Sequence, residues 1–135
     1  MSTPEENIAL LREGYARYKT GDVAFLFGLL DENVQWVSSG DPKFFPMSRA
    51  RSGPAQVAAY FQQLAQDWTV ERHDPLEFFG AGDRVAVRTQ VCVRNNHTGG
   101  VVKIDKVELW TVHDRRIHSF QEIFDSGALM SVMPI

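Results

Sequence analysis

Val85-Ala86-Val87-Arg88-Thr89-Gln90-Val91-Cys92-Val93-Arg94 is the stretch that decides how this chain folds. Odd positions carry valine or threonine, and even positions carry arginine, glutamine or a small residue. That is the period of a strand with one face on a core. On its N-terminal side, Val70–Phe79 reads as a partner strand, with Pro75 marking an edge position or a bulge. Gly80-Ala81-Gly82-Asp83 turns the chain between the two. On the other side, Asn95-Asn96-His97-Thr98-Gly99-Gly100 breaks the period, and a strand follows from Val101 to Val112. A tight turn at Asp114-Arg115 leads into a last strand, Ile117 to Asp125.

Before residue 70 the period is helical. Thr3, Pro4 and Glu6 form a capping box with proline at the first helical position, and Ile8, Leu11, Tyr15 and Tyr18 make one stripe. Gly21 stops this helix, and Asp22 caps a short second one through Phe25, Leu26, Leu29 and Leu30. Residues 33–38 form a short strand. Ser39 to Ser52, with Gly40, Pro42 and Pro46, reads as an irregular loop of the length used for functional lids. Pro54 opens a third helix with the stripe Val57, Tyr60, Phe61, Leu64 and Trp68. Helices first and hairpin strands afterwards predict an α+β domain over residues 1–135. The expected architecture is a curved antiparallel sheet forming a cone around three N-terminal helices, with a central pocket.

Composition narrows the function. A net charge of −3 and the lack of any Lys/Arg block argue against nucleic-acid binding. No run approaches the ~18 apolar residues that would cross a bilayer, and the N-terminus lacks the basic start and apolar core of a signal peptide. No membrane association and a cytoplasmic location are therefore the expectations. Cys92, the only cysteine, reads as a small core hydrophobe. His73, His97, His113 and His118 have no metal-binding spacing, so neither metal nor cofactor is expected. His97 and His113 fall at turns, where exposure is the rule.

Several local strings carry a resemblance. They are Thr20-Gly21-Asp22, Asp31-Glu32-Asn33-Val34-Gln35-Trp36, Ser52-Gly53-Pro54, Glu108-Leu109-Trp110-Thr111-Val112 with Arg116-Ile117, and Gln121-Glu122-Ile123-Phe124-Asp125. In this order the chain resembles the nuclear transport factor two-like superfamily, which includes SnoaL-like cyclases, ketosteroid isomerases and limonene epoxide hydrolases. The resemblance implies a conical cavity for a small apolar organic ligand. Its wall would include Trp36, Ser38, Val87, Thr89, Val91, Ile104, Lys106, Glu108, Trp110, Phe120, Glu122 and Phe124, capped by helices one and three with Tyr15 and Tyr60. It also implies a homodimer through the convex face that carries Arg88, Gln90 and Arg94.

Glu108 lies in an apolar strand where many relatives carry a functional Asp. A carboxyl held in an apolar cavity resists ionisation, so Glu108 is expected as a proton donor or a strengthened base. Lys106, two residues earlier, points the same way. Lys106-Val107-Glu108 resembles the Arg-x-Asp of limonene epoxide hydrolases, and Glu122 falls where those enzymes carry a second acid. Trp36 and Ser38 stand in the places of the tyrosine and asparagine that hold the attacking water. Relative to ketosteroid isomerases, Ser38 replaces the catalytic Asp and Gly14 the tyrosine. Tyr15 and Tyr18 flank that site, and the helix stripe is their plainer use.

Register decides whether the glutamates meet. A two-residue loop at Asp114-Arg115 would set Glu122 beside Val107, on the face opposite Glu108. A three-residue loop through Arg116 would set Glu122 against Glu108, with Lys106 pairing at least one of them. The expected function is acid–base chemistry of isomerase, cyclase or epoxide-hydrolase type on a small apolar substrate. The alternative is a non-catalytic domain that binds a hydrophobic ligand or serves in assembly. A protein-interaction role for the convex sheet is the weakest reading.

Overall fold

A computed structural model describes residues 2–134. In chain order they form α1 (Pro4–Lys19), α2 (Val23–Leu29), β1 (Leu30–Ser38), a 3-10 turn (Pro46–Ser48), β2 (Arg51–Ser52), α3 (Pro54–Asp67), β3 (Trp68–Ala81), β4 (Arg84–Asn95), β5 (Val101–His113), β6 (Arg116–Phe124) and α4 (Ser126–Met130). The α+β class holds. The strands form one sheet in the order β2-β1-β6-β5-β4-β3, not closed into a barrel. Its neighbours run antiparallel except β1 and β6, which are parallel, so the sheet is mixed where an antiparallel one was expected. The chain leaves β1 through α3 and returns beside it only as β6, which permits the parallel pairing.

The helix caps act as read, but Leu30 and Trp68, expected in the second and third helices, instead open β1 and β3. The Thr3 hydroxyl accepts from the Glu6 amide and the Glu6 carboxylate accepts from the Thr3 amide. Asp22 caps α2 through the Phe25 amide. Asn7 is an unforeseen member of the core: it is buried, and its side-chain amide donates to the Val112 carbonyl across to β5. The loop after β1 is more ordered than its composition suggested, since it holds the 3-10 turn and β2. Gly40, at φ +105°, lets this loop close on the Phe124 ring, which a Cβ there would approach to 2.9 Å. Phe45 and Met47 are buried beneath it.

Alternation holds without interruption between β4 and β5, where Arg84–Arg94 pair with Val101–Thr111 in one register. It fails in β3 and β6. Glu71 and Leu76 are extra residues in β3, the second of them beside Pro75 on what is an edge strand. His118 is an extra residue in β6, between Ile117 and Ser119. Each such bulge moves the following side chains to the other face. Cys92 proves half-buried on the outward parity of β4, opposite Arg72, and is not a core residue. Arg88, Gln90 and Arg94 share that face, with Arg88 paired to Glu77 and Arg94 to Glu71.

Candidate active site

The turn joining β5 and β6 has two residues, Asp114 and Arg115, both with positive φ (49° and 61°). That geometry matches the twist of a hairpin. By itself it would turn Glu122 outward. The bulge at His118 cancels the slip, and Glu122 pairs directly with Glu108. Neither simple loop alternative describes the hairpin, although the side chains end as the three-residue one would place them.

On β5, Lys106, Glu108 and Trp110 face inward together. The Lys106 ammonium lies 2.8 Å from Glu122 Oε2 and 3.4 Å from Glu108 Oε2. Tyr15, from α1, donates its hydroxyl to Glu108 Oε1 at 2.8 Å and accepts from the Trp110 indole N–H at 2.9 Å. His73, from β3, places Nε2 3.4 Å from the same Glu108 oxygen, and its ring stacks on Tyr15. Glu122 Oε1 accepts from Ser38 at 2.6 Å and from Tyr60 at 2.7 Å. Both carboxylates are almost wholly out of solvent, with side chains 6% and 4% exposed.

Electrostatics reverse one expectation. Burial alone would push the Glu108 carboxyl up. Lys106 above all, then His73 and Tyr15, outweigh burial and bring it down to about 2. Glu108 is therefore held as an anion and, while Lys106 pairs with it, is neither the proton donor nor the strengthened base that its apolar strand suggested. Lys106 moves the other way: burial opposes its charge, but Glu108 and Glu122 hold it above the ordinary lysine range. Tyr15 and Tyr60 are pushed well up by burial and by their carboxylate partners, so both remain donors.

Around this polar row lies a cavity of about 110 Å³ with mainly apolar walls. Tyr15, Trp36, Tyr60, Lys106, Glu108, Trp110, Phe120, Glu122 and Phe124 line it, as do Val91 and Ile104. Ser38, Val87 and Thr89 do not. They face inward, but their short side chains end in the packed layer beneath the larger residues. Ser38 spends its hydroxyl on Glu122, and Thr89 donates to the Lys106 carbonyl. The Trp36 indole N–H is buried with no acceptor among the described residues, a cost of roughly 1–3 kcal/mol that a ligand oxygen would offset.

Sequence reasoning missed His73. A strict alternation from Trp68 and Val70 sends Arg72 inward, and the bulge at Glu71 sends His73 instead. The available signal was Glu71-Arg72-His73-Asp74, a polar run that interrupts the alternation begun by Trp68 and Val70. Tyr18, Met47, Leu64 and Leu129 also reach the wall, the last from α4, which Asp125 caps.

Comparison with known proteins agrees with this architecture. The SnoaL-like domain family matches residues 11–120, most of the chain. The chain belongs to that family. Among solved structures, this SnoaL-like chain is similar to an NTF2-like (nuclear transport factor two-like) protein from Burkholderia xenovorans, with 25% identity, 98% of each chain covered and a TM-score of 0.83. It is similar also to TerC co-crystallised with polyporic acid, at 24% identity, 96% and 98% coverage and a TM-score of 0.84. A protein of ketosteroid isomerase-like fold from Catenulispora acidiphila, in complex with trimethylamine, shares 14% identity over 97% and 93% of the chains, with a TM-score of 0.75. No curated protein matches significantly. Among the described residues, no helix of this SnoaL-like chain is long and apolar enough to cross a membrane.

Proposed function

We propose that this SnoaL-like protein is an enzyme that moves protons on a small, largely apolar organic substrate. The observation that carries this reading is the convergence of Glu108, Glu122 and Lys106 in the wall of an apolar cavity. Three buried charges in a wall rich in Val, Ile and Phe are costly unless they serve one another or a ligand. In this proposal the substrate carbonyl draws the Lys106 ammonium away from Glu108, which restores the basicity of that carboxylate, and Glu108, with His73 beside it, accepts a proton from the carbon next to the carbonyl. Lys106 supplies the hydrogen bond to the oxygen where negative charge develops, while the Tyr15 and Tyr60 hydroxyls hold the two carboxylates. Glu122 holds Lys106 in place. Because Ser38 is committed to Glu122, the arrangement supports isomerase- or cyclase-type proton transfer better than epoxide opening by a positioned water. The homodimer surface proposed with it is the outward face of Arg88, Gln90 and Arg94.

The alternative, a non-catalytic ligand-binding domain, is favoured by one fact: the ions in the row already satisfy one another. Deuterium exchange separates the two readings. A panel of cyclic enones and 1,3-diketones is incubated in heavy water with the wild type and with Glu108→Gln. Catalysed exchange at the carbon beside the carbonyl, reduced at least about 100-fold in the variant, is expected for a general base. Exchange no faster than buffer, or equal in both proteins, leaves the binding reading.

A further inference from the structure

We infer that the cavity and a neighbouring groove between α2 and α3 form one elongated site, for a ligand with a ring-sized polar head and a long apolar tail. This deepens the reading of the cavity as a small-molecule site and rests on it. The cavity alone is small: at about 110 Å³ it takes no more than a single ring, given that an engineered cavity of roughly 150 Å³ holds benzene. The groove offers about 480 Å³ more. Tyr18, Phe61, Leu64, Trp68 and Val70 belong to both walls, so the two spaces adjoin across a single layer of side chains.

The helix between them is unusual. Val23-Ala24-Phe25-Leu26-Phe27-Gly28-Leu29 has no charged or polar side chain, yet none of its residues is fully buried. Leu26 and Leu29, three apart, face the cavity, whereas Val23 and Phe27, four apart, face the groove. An apolar helix left half-covered in this way marks a surface that something else covers. Ala58 and Ala65 line the groove from α3, and apart from the Trp68 indole its only polar lining side chains among the described residues are Thr69 and Tyr18. With no charged side chain in the lining, the groove suits a hydrocarbon tail and not an ionic group. The polar row of the cavity receives the oxygen-bearing head, and the tail extends past Tyr18, which stands beside that row, into the groove.

The test uses 4-alkylphenols, from methyl to octyl, titrated against the full chain by isothermal calorimetry and tryptophan fluorescence. A fully buried methylene brings roughly fourfold in affinity; in a half-open groove about twofold is expected, or about 100-fold from methyl to octyl. Ala65→Phe and Ala58→Phe, two independent ways to fill the groove, should each cut that octyl-to-methyl ratio to below about tenfold. Binding of 4-methylphenol with no gain along the series, or an undiminished ratio in both variants, overturns the elongated site and leaves the groove to another partner. Failure of every member to bind, 4-methylphenol included, overturns the cavity reading as well.

Discussion

Glu108 and Glu122 face each other across one strand pair and share one lysine, yet they are held differently. Glu122 has two neutral hydroxyls, from Ser38 and Tyr60, and the shorter contact to Lys106. Glu108 has the longer Lys106 contact, one hydroxyl from Tyr15, and a second ionisable neighbour in His73. One end of the row is thus a fixed anchor. At the other, the His73 imidazole and the Tyr15 phenol stand around one oxygen of the Glu108 carboxylate. The chemistry proposed above belongs to the Glu108 end, and the Glu122 end keeps the lysine in place.

Removing the shared lysine should break the comparison most severely. Lys106→Met leaves two buried carboxylates opposed without their cation, and a loss of about 3–5 kcal/mol in urea unfolding at pH 7 is expected. Adding Glu122→Gln should recover more of that loss than adding Glu108→Gln, because Glu108 still has His73 beside it. Equal recovery would show the two ends to be energetically alike.

The two ends also differed in how far they could be read from sequence. Lys106, Glu108 and Trp110 lie on β5, whose register with β4 is unbroken, so the inner face that the family resemblance implied for them agrees with a count by twos along the pair. Glu122 and His73 lie beyond bulges, and a period-two count passes through a bulge with the wrong parity. Ile117 and Phe120 did contain the clue. They are three apart and both buried, which a regular strand cannot manage. The parallel pairing of β1 with β6 left no local trace, because it depends on where the chain returns after more than 70 residues. Tyr15 was legible as a stripe residue, but its hydroxyl partner, 93 positions away, was not.

A second break in the comparison comes from acid. Glu108 has a folded-state pKa lowered from 4.5 to about 2. A lowered carboxyl contributes stability that is present above the unfolded value and lost as pH falls through the folded one. The window is therefore pH 4.5 down to about 2, and the shift corresponds to about 3 kcal/mol at most. Across it, the wild type should lose more unfolding free energy than Glu108→Gln, by up to that amount. Parallel stability curves for the two proteins would mean that Lys106 does not hold Glu108 as described. Lys106 mirrors this at the alkaline end: its raised pKa gives stability that is full below the ordinary lysine value and fades only above it.

The finest distinction is between the two tyrosines. Tyr60→Phe removes one hydroxyl from Glu122, which keeps Ser38 and Lys106, and a cost of about 1.5 kcal/mol is expected for one hydrogen bond to a charged acceptor. Tyr15→Phe removes the matching bond from Glu108 and also leaves the Trp110 indole N–H, at a buried position, without its acceptor. A stranded donor adds its own desolvation penalty, so Tyr15→Phe should cost about 1 kcal/mol more than Tyr60→Phe. Urea unfolding at pH 7 measures both, and neither change alters shape enough to open a cavity. Trp110 also gives the Tyr15 end an optical reporter, since a change in indole hydrogen bonding should shift its emission in that variant alone. If the two variants prove equally stable and emit alike, the chain from Trp110 through Tyr15 to Glu108 does not act as a unit. The difference between the two ends would then reduce to His73.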